Sequence, residues 1–329
     1  MRPSSLSSPP RLRVLSGIQP SGQLHLGNYF GSIKPNIEWM QKSNESFFFI
    51  ADLHALTTMQ DAKQLKNARA DIILDYLACG FDSEKAVIFE QSKIPEHTEL
   101  LWILSTVTPM GLLERAVSYK DKVAQGIQSS AGLFTYPILM AADILLYQSD
   151  VVPVGRDQKQ HVEIARDIAT KFNNTFGEVF RLPEPQVRAE VAVVPGTDGR
   201  KMSKSYGNTI PLFADETVIK KAIMGIQTDS KGATDPKDPD TCPVFQIHRL
   251  FLDKNAAELL AGEYRAGLSY ADAKKRLLAQ VMETLQPLRE RRSSLKPKEV
   301  ANVLEHGNAR AQTIASETMQ KVRKAVGLL

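Results

Sequence analysis

Through the first two thirds of the chain, short apolar runs alternate with longer stretches in which apolar residues return every three or four positions. The runs RLRVLSGI (Arg11–Ile18), SFFFIAD (Ser46–Asp52), AVIF (Ala86–Phe89), VVPV (Val151–Val154) and VAVV (Val191–Val194) predict strands. Between them, Asn28–Gln41, Asp61–Cys79, Thr98–Val107, Phe134–Tyr147 and Gln158–Phe172 predict helices; in the second of these Leu65, Ala68, Ile72, Leu74 and Leu77 mark the apolar stripe. Strands that alternate with helices imply a parallel sheet with helices on both faces, a doubly wound α/β fold. After Ser205 the alternation stops. Glu216–Ile226, capped by Asp215, then Ala256–Arg265, Ala271–Arg292 and Pro297–Val326 all read as helices, interrupted by the Gly/Pro/Asp loop DSKGATDPKDPDTCP. The pattern predicts an all-α C-terminal region with a boundary near residue 206.

Composition changes this picture little. The chain has 329 residues, 43% hydrophobic and 24% charged, which is ordinary for a globular protein. No run of about 18 apolar residues predicts a membrane span. The start, MRPSSLSSPPRLR, lacks the apolar core of a secretory signal, and residues 1–10 are expected to form a disordered tail. Cys79 and Cys242 fit neither a disulfide framework nor a zinc site, so a reducing, cytoplasmic setting is expected. Net charge is +4 but uneven: the segment from Cys242 onward carries 15 Lys and Arg against 9 Asp and Glu. A basic C-terminal third, with Arg289, Arg291 and Arg292 clustered, permits a polyanion such as RNA; a solvated helical face accounts for it equally well.

Two segments carry candidate chemistry. GIQPSGQLHLGN (Gly17–Asn28) follows the first strand and opens a helix, so it lies where parallel sheets bind ligands. A helix start offers unpaired N–H groups to a phosphate, His25 and Asn28 share its first face, and Gly27 leaves space beside them. A turn followed by an ordinary helix cap is the plainer reading. The second segment, GTDGRKMSKS (Gly196–Ser205), sets two lysines and two serines in a Gly-flanked loop suited to phosphate oxygens, or to nothing beyond solvent. A third feature is a lone carboxylate, Asp143, inside the apolar helix MAADILLY, where a charge is costly unless paired.

HLGN at His25–Asn28 and KMSKS at Lys201–Ser205 together resemble the paired signatures of class I aminoacyl-tRNA synthetases, although Asn28 departs from the usual final histidine of the first motif. With TYPILMAADILLYQSD (Thr135–Asp150) and VVPVGRDQKQHVE (Val151–Glu163), the chain from about Arg11 to Leu329 is similar to the compact bacterial tryptophanyl-tRNA synthetase family. The resemblance implies a Rossmann-like catalytic domain over 11–205 and a helical anticodon-binding domain over 206–329, whose last helix is free to pack back on the first. It implies tryptophanyl-adenylate formation from L-tryptophan and ATP, then transfer to tRNA(Trp). Catalysis would rest on positioning and charge stabilisation rather than a covalent intermediate.

Site residues follow from the same resemblance. His25, Gly27 and Asn28 hold ATP; Lys201 and Lys204 meet its β- and γ-phosphates; Lys122 is a third lysine for pyrophosphate. Gln19, Ser21, Val193, Met202, Ser203 and Ser205 complete the ATP set, with Gly155 admitting the backbone and Asp157 meeting the ribose. Asp143 accepts the indole N–H; Leu15, His54, Met140, Val152 and Val154 line the ring; Tyr136, Gln158 and Gln19 take the amino and carboxylate ends. Mg2+ accompanies ATP without a dedicated protein ligand, and no prosthetic group is implied. A homodimer is implied, with its interface near Pro95–Leu133. Alternatives are tyrosyl-tRNA synthetase, because an aspartate also accepts a phenol hydroxyl, a cofactor adenylyltransferase, and an RNA-binding relative without catalysis.

Overall fold

A computed structural model of the chain describes residues 12–116, 130–155, 159–187 and 194–329. Among them, five parallel strands form one sheet: β1 (Arg13–Ile18), β2 (Glu45–Ile50), β3 (Ala86–Glu90), β4 (Val151–Val154) and β5 (Glu184–Val187), in the order β3-β2-β1-β4-β5. The chain builds outward from β1 to β3 on one side, then crosses to β4 and β5 on the other. In a doubly wound sheet such a crossing is the topological switch point, where a crevice opens beyond the carboxyl ends of the strands, here β1 and β4.

Strand β2 shows why both faces must be covered. Phe47 and Phe49 point to one side, Phe48 and Ile50 to the other, and all four are buried. On the side of Phe48 lie α1 (residues 26–42, made of Leu26–Asn28, a π-helical turn Tyr29–Ile33, and Lys34–Lys42) and α3 (Ala62–Ala78). Short α2 (Asp52–Ala55) follows β2 directly. On the side of Phe47 lie α4 (Glu96–Ser105), α5 (Met110–Glu114), α6 (Ala131–Leu146) and α7 (Lys159–Phe176). The helical third contributes α8 (Glu216–Met224), α9 (Pro243–His248), α10 (Lys254–Arg265), α11 (Tyr270–Ser294) and α12 (Pro297–Ala325). Its buried Ile219, Ile223, Leu277 and Leu285 share one continuous core with Phe48 and Ile88.

Several element limits differ from the sequence pattern. The first helix begins at Leu26 and carries the π turn; the fourth begins at Glu96, just after Pro95, rather than at Thr98. Strand β5 was not expected, since EPQV has neither alternation nor an apolar run; its pairing with β4 comes from the tertiary fold. Of the expected strand Val191–Val194, only Val194 lies within the described residues, and it pairs with the loop that follows, its carbonyl accepting from Met202 N–H at 2.8 Å. The N-terminal tail lies outside them.

Helix α12 covers the β3 edge of the sheet. A side chain at Gly307 would meet Ile88 O at 1.8 Å, so only glycine lets the helix come this close. The next residue, Asn308, accepts from Glu90 N–H at 2.9 Å and satisfies a strand-edge donor. Farther along, Ala311, Ala315, Met319 and Val322 join the core on the Phe47 side. In the Gly/Pro/Asp loop, buried Lys237 donates to the carbonyls of Gly232, Ala233 and Asp235 at 3.0, 3.1 and 2.8 Å, an internal cation that ties the loop together.

Arg292 is not a freely solvated member of the basic cluster. Its Nε meets Asp75 at 2.6 Å, a second nitrogen meets Asp71 at 3.1 Å, and the guanidinium lies over the Phe213 ring. The pair fastens α11 to α3. The Asp75 side chain is nearly inaccessible, so removing its partner strands a buried charge. Arg292→Met is expected to cost about 3 kcal/mol in urea unfolding, and adding Asp75→Asn to recover more than half of it. Equal stability of Arg292→Met and wild type would contradict this role.

Candidate active site

The loop after β1 and the loop before α8 meet over the crevice. Leu26 N–H donates to Ile210 O and Leu212 N–H to Leu24 O, both at 2.9 Å, so the two segments run together as backbone. Lys204 then reaches across: its ammonium donates to the carbonyls of Ser21 and Gly22, both at 2.9 Å, and to Ser21 Oγ at 3.2 Å. Burial holds the Lys204 ammonium below the ordinary lysine range.

His25 is the N-cap of α1, and its own N–H donates to Asn28 Oδ1 at 3.2 Å, so the two residues of the first motif fix each other. Gly27 does not front an open shelf. Its N–H points to Met202 Sδ at 3.3 Å, and a side chain there would meet the His25 ring at 2.9 Å and Met202 Cβ at 3.3 Å. The missing side chain lets the second loop close on the helix start.

That loop has a brace the sequence did not reveal. Buried Asn208 accepts from Ser203 N–H at 2.8 Å and donates to Asp198 Oδ1 at 2.6 Å and Lys201 O at 3.1 Å. Ser203 and Ser205 hydroxyls bond each other at 2.8 Å, Lys201 is exposed, and Met202 is buried. Gln19 and Ser21 are exposed on the first loop, and Gly155 follows β4 directly. Lys122, Asp157, Gln158 and Val193 lie outside the described residues.

Beside this crevice, Asp143 is 1% exposed on α6. Its Oδ2 faces His54 Nε2 at 2.7 Å; its Oδ1 accepts from Gln91 Nε2 at 2.7 Å and faces His97 Nδ1 at 2.6 Å. Burial alone would raise this carboxyl, but His54 and His97 outweigh burial and hold it at about 2, so it is ionised at neutral pH. Leu15 of β1 and Val152 of β4 are buried in the core cluster around α6, and Met140 and Val154 pack against it half-buried. The apolar candidates therefore gather around the Asp143 helix. Tyr136 OH is engaged by His161 at 2.7 Å, with its ring edge-on to His54. Gln91, His97 and Asn208 were not singled out by sequence; each lies far along the chain from the group it serves or outside the recognised motif.

The fold, with the two loops closed over its switch point, is that of a class I aminoacyl-tRNA synthetase. Residues 8–286 match the model of the tRNA synthetases of class I (W and Y), and the chain belongs to that family. It is 51% identical to the tryptophan–tRNA ligase of Fusobacterium nucleatum subsp. nucleatum over 321 residues, covering 96% of this chain and 98% of that one. The tryptophan–tRNA ligase of Campylobacter jejuni strain RM1221 is 51% identical over 320 residues, covering 96% and 100%. A crystal structure of the Campylobacter jejuni tryptophanyl-tRNA synthetase complexed with ADP and tryptophan superposes with a TM-score of 0.89 at 50% identity, covering 96% of this chain and 100% of that one.

Burial and then the nearby Lys204 charge push His25 down to about 4 from its ordinary 6.5. An unfolded chain takes that proton first, so His25 erodes stability as pH falls from about 6.5 to about 4 and has no effect above that window. Across it, Tm of wild type is expected to fall more steeply than Tm of His25→Gln. Parallel slopes would contradict the lowered value.

Proposed function

We propose that this chain ligates L-tryptophan to tRNA(Trp) in two steps: tryptophan and ATP give tryptophanyl-adenylate and pyrophosphate, and the terminal ribose of the tRNA then takes the tryptophanyl group with release of AMP. The observation that carries this reading is Lys204 lodged on Ser21 and Gly22, because it brings both motif loops to one crevice beside an ionised, buried acceptor.

The assignments follow the chemistry of each group. The tryptophan carboxylate is already charged and attacks the α-phosphate without a general base. Charge then builds on the departing pyrophosphate, where Lys201 and Lys204 neutralise it, with Lys122 as the third cation. The Ser203 and Ser205 hydroxyls add donors. His25, which is neutral, and Asn28 seat the nucleotide at the helix start, where the dipole favours phosphate. Gln19, Ser21, Gly27, Gly155, Asp157, Val193 and Met202 shape the rest of the nucleotide site. The groups at the two grips are cations and neutral donors, which suit phosphate oxygens; Mg2+ is accordingly assigned to the phosphates of ATP and not to the protein.

Asp143 accepts the indole N–H between Leu15, Met140, Val152 and Val154, with His54 at the carboxylate and Tyr136, Gln158 and Gln19 at the amino-acid head. Phenylalanine strands the buried acceptor and is rejected. Residues 11–205 carry this chemistry, and 206–329 bind the anticodon arm of the tRNA through their basic surface. The 95–133 segment forms a homodimer interface: Trp102 on α4 is 71% exposed and Met110 on α5 is 62% exposed, large apolar side chains that a partner surface would cover. Among the described residues no helix is long and apolar enough to cross a membrane, and we place the enzyme in the cytoplasm.

ATP–pyrophosphate exchange with each of the twenty amino acids tests the reading; exchange is expected with tryptophan, and exchange with tyrosine alone would overturn it. Asp143→Ala is expected to raise KM for tryptophan about 10- to 100-fold with little change for ATP. Lys204→Ala is expected to lower kcat about 100-fold while calorimetric tryptophan affinity stays near wild type.

A further inference from the structure

The Asp143 carboxylate is held on more sides than pairing requires. A carboxylate has about four acceptor directions. Gln91 and His97 take both on Oδ1, and His54 takes one on Oδ2, so among the described residues a single direction on Oδ2 remains. An ionised carboxylate has no proton to give, so the imidazole nitrogens facing it carry theirs. In its neutral Nδ1–H tautomer, His97 directs that hydrogen at Asp143 and has a bare Nε2. That nitrogen lies 2.9 Å from Tyr147 OH, which is left as the donor. Burial and the Asp143 charge both keep the Tyr147 phenol protonated, as this arrangement needs.

The cage is rigid on its far sides as well. Gln91 uses its Oε1 to accept from Leu53 N–H at 3.1 Å, which fixes which end of its amide faces Asp143. Asp52, at the start of α2, accepts from Ser92 N–H at 2.9 Å and Ser92 Oγ at 2.6 Å and pairs with Arg69 at 2.9 Å, so the helix carrying His54 is locked to the segment carrying Gln91. His97 is completely buried, and Phe89 and Tyr147 lie against its ring.

We propose that Tyr147 and His97 form a fixed donor chain, Tyr147 O–H to His97 Nε2 and His97 Nδ1–H to Asp143 Oδ1, that makes them specificity-positioning residues for the amino acid. They reserve the one open Oδ2 direction for an N–H donor on the bound side chain. The proposal rests on the reading of Asp143 as the indole acceptor. Neither residue touches the amino acid; both act through Asp143. An apolar replacement of Asp143 would leave three buried donors without an acceptor, so the network is built around the charge rather than around packing alone.

The test compares tryptophan with 3-(1-benzothiophen-3-yl)alanine, which has nearly the same shape but sulfur in place of N–H, in ATP–pyrophosphate exchange. Tyr147→Phe removes one oxygen and keeps the ring. It is expected to lower the kcat/KM ratio of tryptophan to the analogue about fivefold, the equivalent of one net hydrogen bond, through KM for tryptophan and not through KM for ATP. His97→Leu is expected to lower the ratio further, and His97→Asn, whose amide can replace the Nδ1–H donor, to restore most of it. Should Tyr147→Phe and His97→Leu weaken use of both amino acids equally, the two residues are only packing and the proposal fails. Asp143→Asn separates the layers. If it collapses the ratio while Tyr147→Phe leaves it at the wild-type value, the positioning role alone is overturned; if it leaves the ratio unchanged, the acceptor reading falls and the positioning role with it.

Discussion

The crossing of the chain from one side of β1 to the other is the constraint from which the site follows. Strands β2 and β3 are laid down on one flank, β4 and β5 on the opposite flank, so the connections leaving β1 and β4 diverge. No helix can cover the gap between them. Among the described residues, groups assigned to the proposed reaction are carried by elements that end at this gap or border it: the Gln19–Asn28 loop after β1, Gly155 after β4, and α6, whose Asp143 neighbours share a core with Leu15 and Val152. The second motif comes from much later in the chain. It reaches the gap because Ile210 and Leu212 pair as backbone with Leu24 and Leu26, and because Gly27 offers no side chain to hold Met202 away.

A buried charge sets the second condition. In α6 an ionised carboxylate is surrounded by aliphatic residues, and such a group persists only where donors compensate its lost hydration. Three side chains from α2, the β3–α4 connection and α4 supply them. Among the described residues, the compensation leaves one acceptor direction of Asp143 unfilled. In the proposed reading, that asymmetry is what fits Asp143 to bind a donor rather than only to hold the fold. Asp75 lies on the other face of the sheet and shows the contrast: it is fastened by Arg292 to the helical third and has no apolar pocket beside it among the assigned groups.

How far the sequence spoke depended on whether the information was local. The double burial of SFFFI, the amphipathic stripe of α3 and the isolated carboxylate in MAADILLY are all visible in a few adjacent residues, and the elements they predict are present. The two motifs were legible in the same way. Strand β5 was not, because EPQV takes its conformation from pairing with β4. The π turn in α1 has no signature in YFGSI that distinguishes it from ordinary helix. His97 and Gln91 fall just outside the predicted helix Thr98–Val107 and the predicted strand Ala86–Phe89, with no pattern to mark them. The packing of α4 against α6 carries His97 across 46 residues to Asp143, and the connection after β3 brings Gln91 across 52. Arg292 was misleading for the opposite reason, since a run of arginines reads as a surface until one of them is seen to be spent on Asp75.

Lys204 shows how the two conditions combine in the proposed reaction. An ammonium in free solution must shed water before it can serve a phosphate, and that cost appears in the barrier. Here the ammonium is already partly desolvated and rests on carbonyl oxygens of Ser21 and Gly22, neutral acceptors at hydrogen-bond distance. A triphosphate entering the crevice offers anionic oxygens in their place. The exchange trades charge–dipole contacts for stronger charge–charge ones on a cation that is already half-buried. The same cation gains further as negative charge moves onto the leaving pyrophosphate. Much of its interaction energy is therefore realised late, at the transition state, where binding accelerates the reaction instead of merely holding the substrate.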